Sequence, residues 1–184
     1  MWFWKSPVRS RSLAPVFSLL SISNKLALEI MIKSTIIILT LIYSLDSLAF
    51  SAKVISILDG DSIIVSHENI EKTIRLRQID TPEHKQPYGN KAKKALSDMI
   101  FGEYVEVKGR KKDSYNRILG TIFLNNENIN LKMIRKGHAW AYRRYVTDKK
   151  YIQAEKLAKK DKLGLWELPK EQIIPPWKWR RANP

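Results

Sequence analysis

The chain has 184 residues, with 33 Lys and Arg against 18 Asp and Glu, a formal charge of +15 and no cysteine. That length supports one domain with a real core and not two, and without thiols a disulfide scaffold and thiolate metal sites are excluded, leaving oxygen or imidazole to hold any metal. The charge draws polyanions, either nucleic acid or an anionic membrane surface, and does not choose between them.

Residues 1–30 show no sustained period and no assignable motif, and read as an over-extended gene start, with a longer leader or a membrane anchor as the alternative. From Ser34 to Leu45 the chain runs twelve residues without a charge, between Lys33 and Asp46. A spanning helix needs roughly 20 apolar residues, so this run suits the core of a signal peptide. Met31-Ile32-Lys33 forms a normal start, and Ser47-Leu48-Ala49 is a small-x-small cleavage pattern. Residues 31–49 are therefore expected to be a signal peptide. Cleavage after Ala49 or Ser51 would release a secreted or periplasmic protein, and an uncleaved leader would tether it to the membrane. Residues 50–184 keep 28 of the 33 basic and 16 of the 18 acidic side chains, a charge of +12.

In the mature chain, Ala52–Leu58 and Ser62–Ser66 alternate and are rich in β-branched residues, and Asp59-Gly60 between them is a hairpin signal. After a turn at His67–Asn69, Glu71–Ile79 reads as a third strand with Ile74 and Leu76 on one face and Arg75 and Arg77 on the other, stopped by Pro82. Ala92, Ala95, Leu96, Met99 and Ile100 follow the spacing of one helix face, which predicts a helix over Tyr88–Ile100 ended by Gly102. Glu103–Lys108 and Ile118–Leu124 are the fourth and fifth strands, separated by a basic loop, and Asn125-Asn126 is a turn. Asn130 is expected to cap a helix ending at Gly137, and Asp148 one through Leu163 with Gly164 as its stop. Pro169, Pro175 and Pro176 argue against regular structure in the Pro- and Trp-rich basic tail, residues 167–184. Five strands with about three helices predict a mainly β (α+β) architecture, a Greek-key barrel of the OB type.

Asp61 and Asp80 stand at strand ends beside turns. If the barrel brings them together they offer two hard oxygen ligands suited to Ca²⁺ or Mg²⁺, with the Thr81 carbonyl as a third. Taken singly each is an ordinary turn residue. Glu83, three residues beyond Asp80, adds a carboxylate able to orient or deprotonate a water beside a metal. Arginine meets the charge that develops on a phosphodiester with a planar fork of donors, and Arg75 and Arg117 are the candidates. Arg75 lies five residues before Asp80, hence on the opposite face of a straight strand. Only a bulge or turn can aim both at one phosphate.

Asp59-Gly60-Asp61-Ser62, Arg75-Leu76 running to Ile79-Asp80-Thr81-Pro82-Glu83, Asp113 through Arg117, Asn130 to Gly137 and Gly164-Leu165-Trp166 together resemble the staphylococcal nuclease (thermonuclease) family in residues and order. The likeness covers Ala52 to Trp166 and makes residues 50–166 a staphylococcal-nuclease-like OB-fold domain. It implies a Ca²⁺-dependent nuclease acting on DNA and RNA, with Asp61, Asp80 and Thr81 as metal ligands, Glu83 as the proposed general base, and Arg75 and Arg117 binding phosphate. Tyr142 falls near a tyrosine that packs on the nucleotide base in that family, although Arg143 and Arg144 depart from its pattern. Ser62 replaces a Thr, Gln78 stands where many members have a small residue, and Asn116 replaces a glycine, the substitution best suited to a positive φ. A monomer with no stable protein partner is expected.

The alternative is a non-catalytic OB-fold module that only binds nucleic acid. Such a module needs the barrel and the basic surface, but not Asp61, Asp80, Glu83, Arg75 and Arg117 together. His67, His84 and His138 form no ligand pair at helical spacing, and His84 reads as a surface residue in a turn.

Overall fold

The structure is a computed structural model and describes residues 27–37 and 49–183. The chain divides into two units, residues 1–46 and 47–184. In the first, residues 27–37 form helix α1, with Leu28, Ile30, Met31 and Ile32 exposed. The expected signal core overlaps α1 only at residues 34–37; residues 38–45 and Ser47-Leu48 lie outside the described residues, as do residues 1–26 of the expected extension. Among the described residues no helix is long and apolar enough to cross a membrane.

The second unit is built on a closed five-stranded barrel. Strand β1 (Ala49–Ile57) pairs antiparallel with β2 (Ser62–His67) on one side and with β5 (Tyr104–Lys108) on the other. Strand β3 (Ile70–Leu76) follows β2, and β6 (Ile118–Leu124) follows β5, both antiparallel. Parallel pairing of β3 with β6, Ile74 opposite Ile118 and Leu76 opposite Gly120, closes the barrel. Between Val54 and Ser56 the register of β1 shifts, a bulge that bends the strand so that it can serve both neighbours. Gly120 has no room for a side chain, since a Cβ there would come within 2.9 Å of Ile74 Cγ2.

Period-two alternation fills the barrel. Val54, Val65, Ile74, Leu76, Val107 and Ile122 point inward and are buried, each such side chain contributing roughly 1.5–3 kcal/mol over exposure. Helix α2 (Gly89–Ile100) packs Leu96 and Ile100 against the same core, and Tyr88 at its N-cap has a left-handed φ of 75°. Asn125 and Asn126 both take positive φ, 49° and 63°, as the hairpin leading to β7 (Glu127–Asn128) requires.

Four expectations are corrected. The third strand does not run to Ile79: β3 ends at Leu76, Gln78 adopts φ 68°, and Ile79–Asp80 forms a separate strand, β4, paired with β8 (Trp140–Ala141). Asn130 does not cap helix α3 (Ile129–Arg135). Asn128 does, accepting from the Leu131 N–H, while Asn130 is fully buried inside the helix. Helix α4 stops at Lys160 (Lys149–Lys160), short of Leu163, where Lys162 turns to φ 50°, although Asp148 caps it as expected. Finally, the tail is ordered: two short 3-10 turns, Gly164–Glu167 and Lys170–Gln172, lead to helix α5 (Pro176–Ala182). Pro176 occupies the first helical position, where a missing N–H costs nothing and a fixed φ favours the helix. The prolines start an element instead of preventing one.

Candidate active site

The β1–β2 turn, the β3–β4 break and the segment leading to α2 converge at one end of the barrel. Asp61 is 4 % exposed, and its Oδ2 accepts from the Thr81 N–H at 2.8 Å and from the Thr81 hydroxyl at 3.0 Å. Its Oδ1 accepts from Ser62 Oγ at 3.2 Å. Thr81 has therefore committed both its donors to Asp61, and what it has left to offer a cation is its carbonyl. The turn itself is held by Asp59, whose Oδ1 accepts from the Asp61 N–H at 2.8 Å.

Arg75 joins the two aspartates. Its Nη2 lies 3.1 Å from Asp61 Oδ2 and 3.0 Å from Asp80 Oδ1, while its Nη1 donates to the carbonyls of Leu76 and Ile79. The left-handed residue Gln78 makes this possible by turning the chain between Arg75 and Asp80, so that two residues on opposite faces of a straight strand share one site. The Gln78 side chain locks that turn, its Oε1 accepting from Thr147 N, Thr147 Oγ1 and Asp148 N. Pairing of Asp80 with Trp140 and of Ile79 with Ala141 fixes the other side. Buried Glu155 in turn anchors Ala141, accepting its N–H at 3.0 Å and pairing with Arg143 and Lys159.

Glu83 is half-buried at the rim. Its N–H donates to Gln86 Oε1, and its carbonyl accepts from the Gln86 N–H. Gly89 lets α2 begin directly against it: a Cβ at Gly89 would lie 1.8 Å from the Glu83 carbonyl oxygen. Arg117 reaches the site from the loop before β6. Asp113 clamps it, Oδ1 accepting the Arg117 N–H and Oδ2 the guanidinium at 2.8 Å, with Asn116 at φ 62° completing the turn. Arg117 Nη1 comes 3.5 Å from Ser62 Oγ, linking it through that hydroxyl to Asp61. Exposed His84 lies outside this network of contacts.

The electrostatics follow from burial. Desolvation raises Asp80 to about 6, opposed chiefly by the hydrogen bond from Arg180. Burial, with the neighbouring Asp61 charge, raises Asp59 to about 7. Burial also disfavours the Asp113 carboxylate, but the Arg117 N–H, its guanidinium and the Tyr115 N–H outweigh it and hold Asp113 below the usual carboxylate range.

Arg180, from α5, is the residue that sequence reasoning missed. Its Nη1 lies 2.6 Å from Glu83 Oε1 and 3.2 Å from Asp80 Oδ1, and its Nη2 lies 2.9 Å from Asp80 Oδ2. These charges, after a desolvation cost, push the Arg180 pKa upward. Tyr142 lies beside the same helix, its ring stacked on Trp177 with centroids 5.8 Å apart and planes 5° apart. The tail's Trp-Lys-Trp-Arg-Arg run was visible in the sequence, and a proline at the first helical position was the signal that it forms an element.

Comparison with known proteins accords with this geometry. A model of the staphylococcal nuclease homologue family matches residues 73–168. The chain belongs to the staphylococcal nuclease family. It is 39 % identical over 145 residues to a micrococcal nuclease of Shigella flexneri, covering 73 % of this chain and 82 % of that protein. It is 35 % identical over 156 residues to an uncharacterized endonuclease of Haemophilus influenzae, covering 84 % and 86 % respectively. An uncharacterized endonuclease of Escherichia coli is 37 % identical over 132 residues, covering 71 % and 85 %. The nuclease is thus an OB-fold phosphodiesterase of the thermonuclease type, and nucleic acid is its substrate class.

Proposed function

We propose that the enzyme hydrolyses phosphodiester bonds of both DNA and RNA with Ca²⁺, and that Asp61, Asp80, Thr81, Glu83, Arg75 and Arg117 do the work. The observation that carries this reading is the shared Arg75 nitrogen, which brings Asp61 and Asp80 to one point with Glu83 and Arg117 at its margins. A module that only bound nucleic acid would have no use for two buried aspartates facing one another across a guanidinium.

The residues suit a hard divalent cation. The donors are carboxylate and carbonyl oxygens, as Ca²⁺ prefers, and positive charge already stands against Asp80 and Glu83 in the form of Arg180. Among the described residues no group of three or more His, Cys, Asp or Glu side chains forms a ready metal cage, so the protein's share would be two carboxylates and the Thr81 carbonyl. When bound, the cation supplies Lewis-acid polarisation of a phosphoryl oxygen. Glu83 would accept a proton from the attacking water as the water oxygen bonds to phosphorus and the bond to the leaving sugar oxygen breaks, that oxygen taking up a proton from solvent. Arg75 and Arg117 hold the phosphoryl oxygens and meet their growing negative charge. Tyr142, once uncovered, offers a ring for a base to stack on.

Cleavage of labelled single- and double-stranded DNA and of RNA, with Ca²⁺, with Mg²⁺ and with a chelator, tests the reading. Cleavage of all three with Ca²⁺, abolished by the chelator, is expected; binding without cleavage would leave the nucleic-acid-binding module. Export is part of the same proposal, with residues 31–49 as a cleaved signal peptide. A chain starting at Phe50 would keep all of β1 except its first residue, Ala49. Mass spectrometry of the mature N-terminus checks the export proposal, and an intact leader would mean a tethered enzyme.

A further inference from the structure

Helix α5 is fastened over the site by residues that come before Arg180. Gln86 Nε2 donates to the Ile174 carbonyl, Pro176 is buried, and Ile173 and Trp177 pack on Trp140, Leu165 and Trp166. Trp177 also meets Trp140 edge-on at 5.6 Å. None of these contacts depends on the Arg180 side chain, so the helix delivers that guanidinium to Asp80 and Glu83 and would stay docked without it.

Asp80 has two arginine partners that differ in their surroundings. The Arg75 side chain is 13 % exposed and is tied to two backbone carbonyls besides both aspartates. The Arg180 side chain is 42 % exposed and is held at its tip by Asp80 and Glu83. Arg75 is built in; Arg180 has an open path to water. Arg180 also takes both Asp80 oxygens and one Glu83 oxygen, the acceptors that a cation and its water need. A guanidinium and a divalent cation cannot both use them at full strength, because each hydrogen bond consumes a lone pair and like charges repel at contact distance.

We infer that Arg180 is a resident competitor for the divalent cation: it neutralises Asp80 and Glu83 when no metal is bound, must swing out to solvent for the metal to enter, and so sets the metal's apparent affinity. The inference rests on the metal reading of Asp61 and Asp80. It makes Arg180 a determinant of metal affinity in the site, contributed by a tail outside the barrel.

Calorimetric titration of the purified protein with CaCl₂ alone, without nucleic acid, tests it on three proteins: wild type, Arg180→Gln, and Arg181→Gln as a control. Arg181→Gln removes the same charge from an exposed neighbour whose side chain, among the described residues, hydrogen-bonds the Trp177 carbonyl through Nε and neither Asp80 nor Glu83. At about 0.15 M salt the Debye length is ~8 Å, so general repulsion of Ca²⁺ by the tail would appear in both variants alike. Arg180→Gln should bind Ca²⁺ roughly two- to fivefold more tightly than wild type, the range a partly exposed charged contact supports, with Arg181→Gln close to wild type. In chelator Arg180→Gln should melt below wild type, because two carboxylates lose their partner, and should gain more than wild type on adding Ca²⁺. Equal affinities for wild type and Arg180→Gln, or equal gains in both Gln variants, would overturn the inference and leave the metal reading intact. No Ca²⁺ binding by any of the three would overturn the metal reading, and the inference with it.

Discussion

Arg75 and Asp80 meet at 3.0 Å although five positions separate them on what would otherwise be a single strand. The left-handed Gln78 between them turns the chain over, and three hydrogen bonds to its side-chain oxygen from Thr147 and Asp148 hold that conformation. A positive φ at a residue with a side chain costs about 1–2 kcal/mol, and each bond returns roughly 0.5–1.5 kcal/mol.

Two substitutions at Gln78 separate these terms. Gln78→Gly relieves the backbone but abandons the three bonds, and is expected to lose about 1–3 kcal/mol. Gln78→Val abandons them and adds a β-branched residue at positive φ, and should lose more. Urea denaturation should rank the proteins wild type, Gly, Val in falling stability. Phosphodiesterase activity of the Val protein should fall further than its unfolded fraction explains, because Asp80 no longer faces Arg75.

Glu83→Gln keeps the size and polarity of the rim residue but cannot take a proton. Its cleavage rate should fall by about 10²–10⁴ with the urea midpoint little changed; near-normal cleavage would remove Glu83 from the mechanism. Arg117→Ala should cost about 10² or more if it stabilises developing charge. Asp113→Asn, which loosens the clamp on Arg117 without touching substrate, should show a smaller loss of the same kind.

Asn130 is fully buried where β6, α3 and the β3–β4 break meet: its Oδ1 accepts from Ile122 N, and its Nδ2 donates to the carbonyls of Arg77 and Gly120. Asn130→Asp has the same shape but no donor, and sets a carboxylate against two carbonyl oxygens. A loss of about 3 kcal/mol or more is expected in urea denaturation. Asn128→Ala, which removes the helix cap, should cost only about 1 kcal/mol.

His138 Nδ1 lies 2.9 Å from Tyr88 OH, within hydrogen-bonding distance, in a hollow also lined by Lys91, Lys94, Asp98 and Lys136. Burial first, then the Lys136 charge, lowers the His138 pKa below 6.5. The unfolded chain therefore binds a proton that the folded chain refuses. The stability involved is fully present above pH 6.5 and is lost as pH falls below that value toward the depressed folded pKa. His138→Gln should flatten this part of the stability profile, and an NMR titration of the imidazole should place its pKa below that of a free histidine.

Several features were legible in the sequence because their signals are local. Period-two alternation marks β2 and the fifth barrel strand, Ile118–Leu124, and helical spacing marks α2, because side-chain direction along an element depends on backbone geometry alone. The positive φ at Asn116, Asn125 and Asn126 could be read from residue type. The order of Asp61, Arg75, Asp80, Glu83 and Arg117 could also be read, and with it the family.

Other features required the tertiary structure. Asn128 and Asn130 are equally good caps by composition, and only docking against Ile122 and Gly120 decides which one is buried. Gln78 breaks its strand because Thr147 and Asp148 are there to receive its side chain, some seventy residues later. Arg180 reaches Asp80 across a hundred residues, and such a contact leaves no period or spacing in the chain. The sequence by itself determined the elements, the charge and the set of chemical groups. Which arginines share a carboxylate was decided by barrel closure and by the packing of α5 on Trp140 and Tyr142, because burial and convergence depend on distances in space that chain order does not encode.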